Sequence, residues 1–118
     1  MIDIIGIENL DNFIIEESCK NSIIMLYFGA EWCGPCKKLK NLLNNTDTIQ
    51  EMPKLAVAHL DIDEEQNAKL VKCYKITNLP TQILIKLQDN KVVENARIIG
   101  YDFTKLQLEY SNLTKKID

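Results

Sequence analysis

A chain of 118 residues matches the common size of one domain and is long enough to bury a core without covalent staples. Its composition, 46% hydrophobic and 26% charged, is that of a folded globular protein. A net charge of -3 with no basic block argues against nucleic acid as a partner, and no apolar run approaches the roughly 18 residues that span a bilayer, so no membrane role is expected.

Residues 1–7 are apolar but few. They carry Asp3 where a signal peptide needs a cation, and no small-residue cleavage site follows. The expected setting is the cytoplasm, or an organelle if a transit peptide has been processed away. Residues 2–7 read as a short strand, and residues 11–19 as a helix started by Asp11 with Phe13 and Ile14 turned inward. Residues 22–28 are apolar on both faces, as in a central strand covered on both sides, and the run ends at Gly29-Ala30. A helix starting near Cys33 puts Cys36, Leu39 and Leu43 on one face, with Lys37, Lys38 and Lys40 on a solvated one. Residues 55–61 are the next strand, and residues 64–74 have helical character with Ala68, Leu70 and Val71 as inward candidates. Two strands at 81–87 and 91–99 flank Gln88-Asp89-Asn90, a sequence suited to a hairpin turn. Phe103, Leu106, Tyr110, Leu113 and Ile117 then mark one face of a closing helix. The order βαβαβαββα predicts one α/β domain over residues 1–118. Its early strands should be parallel and its last pair antiparallel, giving a mixed five-stranded sheet between helix layers.

Cys19, Cys33, Cys36 and Cys73 are the four cysteines. A bond across the Cys33-x-x-Cys36 spacing constrains almost no chain entropy and makes a poor staple, so the pair points to chemistry. Half a zinc site would need two more ligands at suitable spacing, and Cys19, His59 and Cys73 are scattered, so no metal is expected. Cys19 and Cys73 read as packing or surface residues, with a regulatory or dimer-forming role for Cys73 as the lesser alternative. At the first turn of a helix, unpaired N–H groups and the positive dipole end favour a negative sulfur, which makes Cys33 the nucleophile. Cys36, one turn in and more covered, would resolve the mixed disulfide. No cofactor is expected beyond the chain's own redox-active disulfide, Cys33–Cys36. With no nucleotide-binding motif, an external thiol donor must reduce the pair again.

The segment Ala30-Glu31-Trp32-Cys33-Gly34-Pro35-Cys36-Lys37 resembles the active-site segment of the thioredoxin family residue for residue. Asn78-Leu79-Pro80-Thr81 resembles the family loop whose cis-proline faces the thiols. The resemblance runs over nearly the whole chain. It implies the thioredoxin fold, a three-layer α/β/α arrangement with a five-stranded sheet flanked by four helices. It further implies that Leu79, Pro80 and Gly100 help bind an extended substrate segment, and that Trp32 shields the sulfurs beside Gly34 and Pro35. The partners it implies are disulfide-containing proteins and a thioredoxin reductase or other thiol donor, with a monomer as the default state. Gly-Pro between the cysteines favours a general protein-disulfide reductase. An oxidant or isomerase on the same fold, and an adaptor whose thiols stay silent, are the competing readings.

The chain departs from the family at two core positions. Tyr27 stands where an aspartate is common on the central strand, and His59 where a lysine is common on the next. A Tyr-Phe pair before the motif also resembles tryparedoxins and nucleoredoxins, which carry a different dipeptide between their cysteines. Two readings stay open. Tyr27 and His59 either form an alternative proton relay to Cys36, or Tyr27 fills the aspartate's space and His59 merely satisfies its hydroxyl.

Overall fold

The computed structural model describes residues 1–117. The side chain of Ile117, expected on the inner face of the closing helix, and Asp118 lie outside the described residues. Along the chain come β1 (Ile2–Asp3), α1 (Ile7–Cys19), β2 (Ile23–Gly29), α2 (Gly34–Leu43), α3 (Thr46–Glu51) and β3 (Leu55–Asp61). After a 3-10 turn at Glu65–Asn67 follow α4 (Ala68–Cys73), β4 (Thr81–Gln88), β5 (Lys91–Ile99) and α5 (Phe103–Ile117). The sheet order is β1-β3-β2-β4-β5. As the sequence predicts, β1, β3 and β2 are parallel, while β4 runs antiparallel to β2 and forms a hairpin with β5.

Every residue of β2 is buried, because the strand lies mid-sheet with apolar layers on both faces. Ile23, Met25 and Tyr27 point toward α2 and α5, where Leu39, Leu43, Leu106 and Tyr110 complete one core. Ile24, Leu26 and Phe28 point the other way and meet Leu10, Phe13, Ile14 and Leu70 of α1 and α4. The period of 2 in the strand is thus matched to helical stripes above and below. On α5, Leu106 and Tyr110 are buried and Phe103 and Leu113 pack against the same core, as their spacing predicts.

Four local expectations need correction. The first helix starts at Ile7, not at Asp11, and the first strand ends at Asp3 rather than running to Ile7. Leu10, expected in neither element, is buried with Phe13 and Ile14 on one helical stripe. Ala68 is exposed and Asn67 beside it is buried. The short helix α3 adds a fifth to the four expected helices; Asn45 caps it by accepting the Asp47 N–H, and six polar-rich residues give little period to detect.

The first two corrections share a cause. The Asn67 amide oxygen accepts the Gly6 N–H at 2.8 Å, and its nitrogen donates to the carbonyls of Ile4 at 3.2 Å and Asp61 at 3.1 Å. Gly6, at φ 86°, turns the chain out of the sheet in a conformation that suits glycine. One fully buried side chain therefore satisfies backbone groups from the β1–α1 and β3–α4 connections. Asn67→Ala should lower unfolding free energy by about 2–4 kcal/mol, since buried backbone groups lose their partners. Urea denaturation measures this, and a loss below about 0.5 kcal/mol, the size of an ordinary surface substitution, would contradict it.

Candidate active site

The end of β2 fixes where α2 begins. Cys33, in an extended conformation just before Gly34, is the N-cap residue of α2, and its Sγ accepts the Cys36 N–H at 3.3 Å. Thus the sulfur occupies the place where a serine or aspartate oxygen commonly satisfies an unpaired helix donor. Pro35 sits in the first turn, where its missing N–H leaves no bond unmade. Gly34 and Pro35 are exposed, and a side chain at Gly34 would meet open space. Cys33 and Cys36 are joined as a disulfide with Cα atoms 5.2 Å apart. Both are buried, Cys36 at 2% exposure and Cys33 at 7%, so Cys33 is the more accessible residue of the pair.

Tyr27 lies beneath this turn. Its hydroxyl donates to the Cys36 carbonyl at 2.7 Å, and its ring lies over Gly29. A Cβ at Gly29 would come within 3.0–3.2 Å of three Tyr27 ring and hydroxyl atoms, so glycine there makes room for the ring. Burial pushes the Tyr27 hydroxyl up to about 12 from its ordinary value of 10. The hydroxyl is therefore a fixed donor at neutral pH.

His59 does not receive that hydroxyl proton, which corrects the expectation that it satisfies Tyr27. The two rings pack at 4.9 Å between centroids, tilted by 40°, and His59 Nδ1 pairs with Asp3 Oδ1 at 2.7 Å. In sheet register Asp3, His59, Tyr27 and Gln82 stand side by side across four neighbouring strands. Gln82 is fully buried; its amide nitrogen donates to the Gly100 carbonyl at 3.3 Å, and its Oε1 has no partner among the described residues.

A cleft of about 840 Å³ brings together Tyr27, Trp32, Cys36 and His59. Trp32 is 68% exposed, and its indole N–H donates to Asp63 Oδ2 at 2.7 Å, so it stands beside the thiols as an apolar flap anchored at one edge. The second group of expected site residues converges separately. The Leu79–Pro80 bond is cis, as the resemblance implies, and Leu79 packs against the core that contains both cysteines. Gly100 donates its N–H to the Pro80 carbonyl at 2.7 Å and holds φ 84°, which favours glycine. Trp32, Ile99 and Tyr101 remain exposed. Cys19 and Cys73 are exposed free thiols. Among the described residues, no three or more His, Cys, Asp or Glu side chains converge to hold a metal ion.

Asp3, Gly29, Asp63 and Gln82 escaped the sequence reading. Asp3 and Gln82 carry a faint signal, each being polar within an apolar strand-like run. The other two depend on contacts that only folding creates.

Comparison with known proteins agrees with this geometry. A family model described as Thioredoxin matches residues 5–106. A thioredoxin of Chlamydia pneumoniae is 37% identical over 100 residues, covering 85% of this chain and 85% of that one. Among solved structures, Fasciola hepatica thioredoxin superposes with a TM-score of 0.77 at 30% identity, covering 95% of this chain and 98% of the other. Trichomonas vaginalis thioredoxin has the same fold, with a TM-score of 0.80 at 22% identity over 96% of each chain.

The Tyr27 bond yields a test. Between pH 10 and 12 the unfolded chain has released a proton that the folded chain still holds. Stability from this group is complete below about pH 10 and is lost as pH rises toward 12, by about 2–3 kcal/mol in all. Tyr27→Phe should lack that part of the alkaline slope. It should also lose about 1–3 kcal/mol at pH 7, where the Cys36 carbonyl loses a buried donor. Urea unfolding of both proteins across this range measures it, and parallel alkaline slopes would contradict it.

Proposed function

This chain belongs to the thioredoxin family of thiol–disulfide oxidoreductases, and on that premise we propose that it reduces disulfides in other proteins by a two-stroke exchange. The observation that carries the reading is the position of Cys33 Sγ as the cap of α2 with Cys36 one turn deeper. Helix N–H groups and the dipole favour the Cys33 thiolate. It attacks one sulfur of the substrate disulfide, that bond breaks, and a mixed disulfide forms. Cys36 then attacks Cys33 Sγ, expels the second substrate thiol and closes the Cys33–Cys36 bond. Two electrons pass from the protein to the substrate, and a thioredoxin reductase or other thiol donor returns the protein to the dithiol.

Leu79, Pro80 and Gly100 form a docking strip for an extended substrate segment, with Trp32 as an apolar neighbour. Tyr27 holds the first turn of α2 to the sheet while the sulfurs change partners. A reducing setting such as the cytoplasm suits two exposed free thiols, Cys19 and Cys73. Among the described residues no helix is long and apolar enough to cross a membrane.

Cys33→Ser should abolish reduction of a protein disulfide such as insulin. Cys36→Ser should accumulate a covalent substrate adduct that a thiol reductant releases, visible by non-reducing electrophoresis and mass spectrometry. Capture through Cys36 in the Cys33→Ser protein would reverse the assigned order. Retained biological activity in the double Cys→Ser protein would favour a thiol-silent adaptor.

A further inference from the structure

Asp3 and His59 form a pair whose place in the cleft gives it a chemical use. We propose that His59, oriented by Asp3, carries the proton that Cys36 must lose before it can resolve the mixed disulfide and regain when the protein is re-reduced. The proposal rests on the reading that Cys36 is the resolving thiol.

A carboxylate only accepts hydrogen bonds, so the 2.7 Å contact from Asp3 Oδ1 puts a proton on His59 Nδ1. Nε2 is then the nitrogen whose protonation changes. The ring is held from its other side by packing on Tyr27, and the His59 side chain is only 15% exposed. A mobile surface histidine would show neither restraint. His59 and Cys36 line one cleft of about 840 Å³, roomy and polar enough for water to carry a proton between the imidazole and the thiol.

Tyr27 is nearer to Cys36 but unsuited to the task. Its proton is committed to the Cys36 carbonyl, and burial keeps the hydroxyl protonated up to about 12. The remaining charged groups lining the cleft are Lys37 and Lys40 from α2, Asp61 from β3, and Glu31, Asp63 and Glu64 from the loops. Imidazole is the side chain that ordinarily exchanges protons near neutral pH, and this chain has one histidine.

In the mixed disulfide, Cys33 Sγ is bonded to a substrate sulfur and Cys36 is a thiol. The thiol proton passes through solvent to neutral His59. The Cys36 thiolate attacks Cys33 Sγ, the Cys33–substrate bond breaks, and its electron pair leaves on the substrate sulfur. That sulfur takes up the proton from the imidazolium, directly or through solvent. The protein dithiol is oxidised and the substrate disulfide reduced, with no further reactant. Asp3 acts only through the ring, as a positioning residue.

The test uses full-length reduced protein carrying Cys19→Ser and Cys73→Ser, mixed in a stopped-flow instrument with the aromatic disulfide 5,5′-dithiobis(2-nitrobenzoate). Attack by Cys33 releases one coloured thiolate at a rate proportional to reagent. Resolution by Cys36 releases the second at a rate independent of reagent. His59→Gln should slow the second phase relative to the first by about 10-fold or more at pH 7 and change the pH dependence of that phase but not of the first. Asp3→Ala should slow it less, and Asp3→Glu should restore most of the loss. A His59→Gln second phase that superimposes on the parent's across pH overturns the proposal. If Asp3→Ala matches the parent while His59→Gln is slow, the positioning role of Asp3 is overturned and the histidine stands. Cys36→Ser separates the two levels: a surviving reagent-independent second phase overturns the resolving role itself, whereas its loss beside an unaffected His59→Gln overturns only the proton carrier.

Discussion

The hydrogen bond from the Tyr27 hydroxyl to the Cys36 carbonyl ties the sheet to the reactive helix, and the geometry of the site follows from it. Tyr27 sits on β2, a strand buried along its whole length, so its backbone is fixed from both faces. The ring reaches along the strand over Gly29, where any larger residue would push it aside. Its hydroxyl then meets the first turn of α2, and that turn is where Cys33 caps the helix with its sulfur. The carbonyl has two lone pairs and accepts this donor without giving up its place in the helix. Rigidity runs from core to sulfur through groups that do not themselves change oxidation state.

This arrangement separates stability from chemistry. A bond between Cys33 and Cys36 closes so short a loop that it adds little to the unfolded chain's constraints. Stability comes instead from the two apolar layers on either side of β2 and from polar joints such as Asn67. Such a fold can lose and regain its disulfide in every cycle without depending on it. Beside the site lie a cis peptide before Pro80, a positive φ at Gly100 and a buried Gln82 oxygen with no partner among the described residues, while other positive φ values fall in connections elsewhere, at Gly6, Asn21, Lys75, Asp89 and Asn90.

Much of this was legible in the sequence because it is written in local pattern. The continuous apolar run over 22–28 marks a strand covered on both faces, and the spacing of Leu106 and Tyr110 carries the helical period that burial enforces. The thiol pair was legible as well, since its spacing, its position after a strand and its Trp-Gly-Pro context coincide. What stayed hidden depends on partners distant along the chain. The start of α1 is set by Asn67, whose side chain acts on Gly6 across 61 positions, so Ile7 read as the end of a strand and Leu10 fell between two elements. Asp3 gains meaning only when β1 registers beside β3 and delivers it to His59. The partner of Tyr27 was misjudged for the same reason, because a backbone carbonyl leaves no mark in a sequence.

The central claim is that the Cys33–Cys36 pair is poised to give electrons to other proteins. Its most direct test is the equilibrium reduction potential of the pair, measured against defined glutathione or dithiothreitol buffers with the oxidised fraction read by thiol alkylation. The account predicts a value at or below about -240 mV, within the range of cytosolic reductants. A value above about -200 mV would mark an oxidant or isomerase and contradict it.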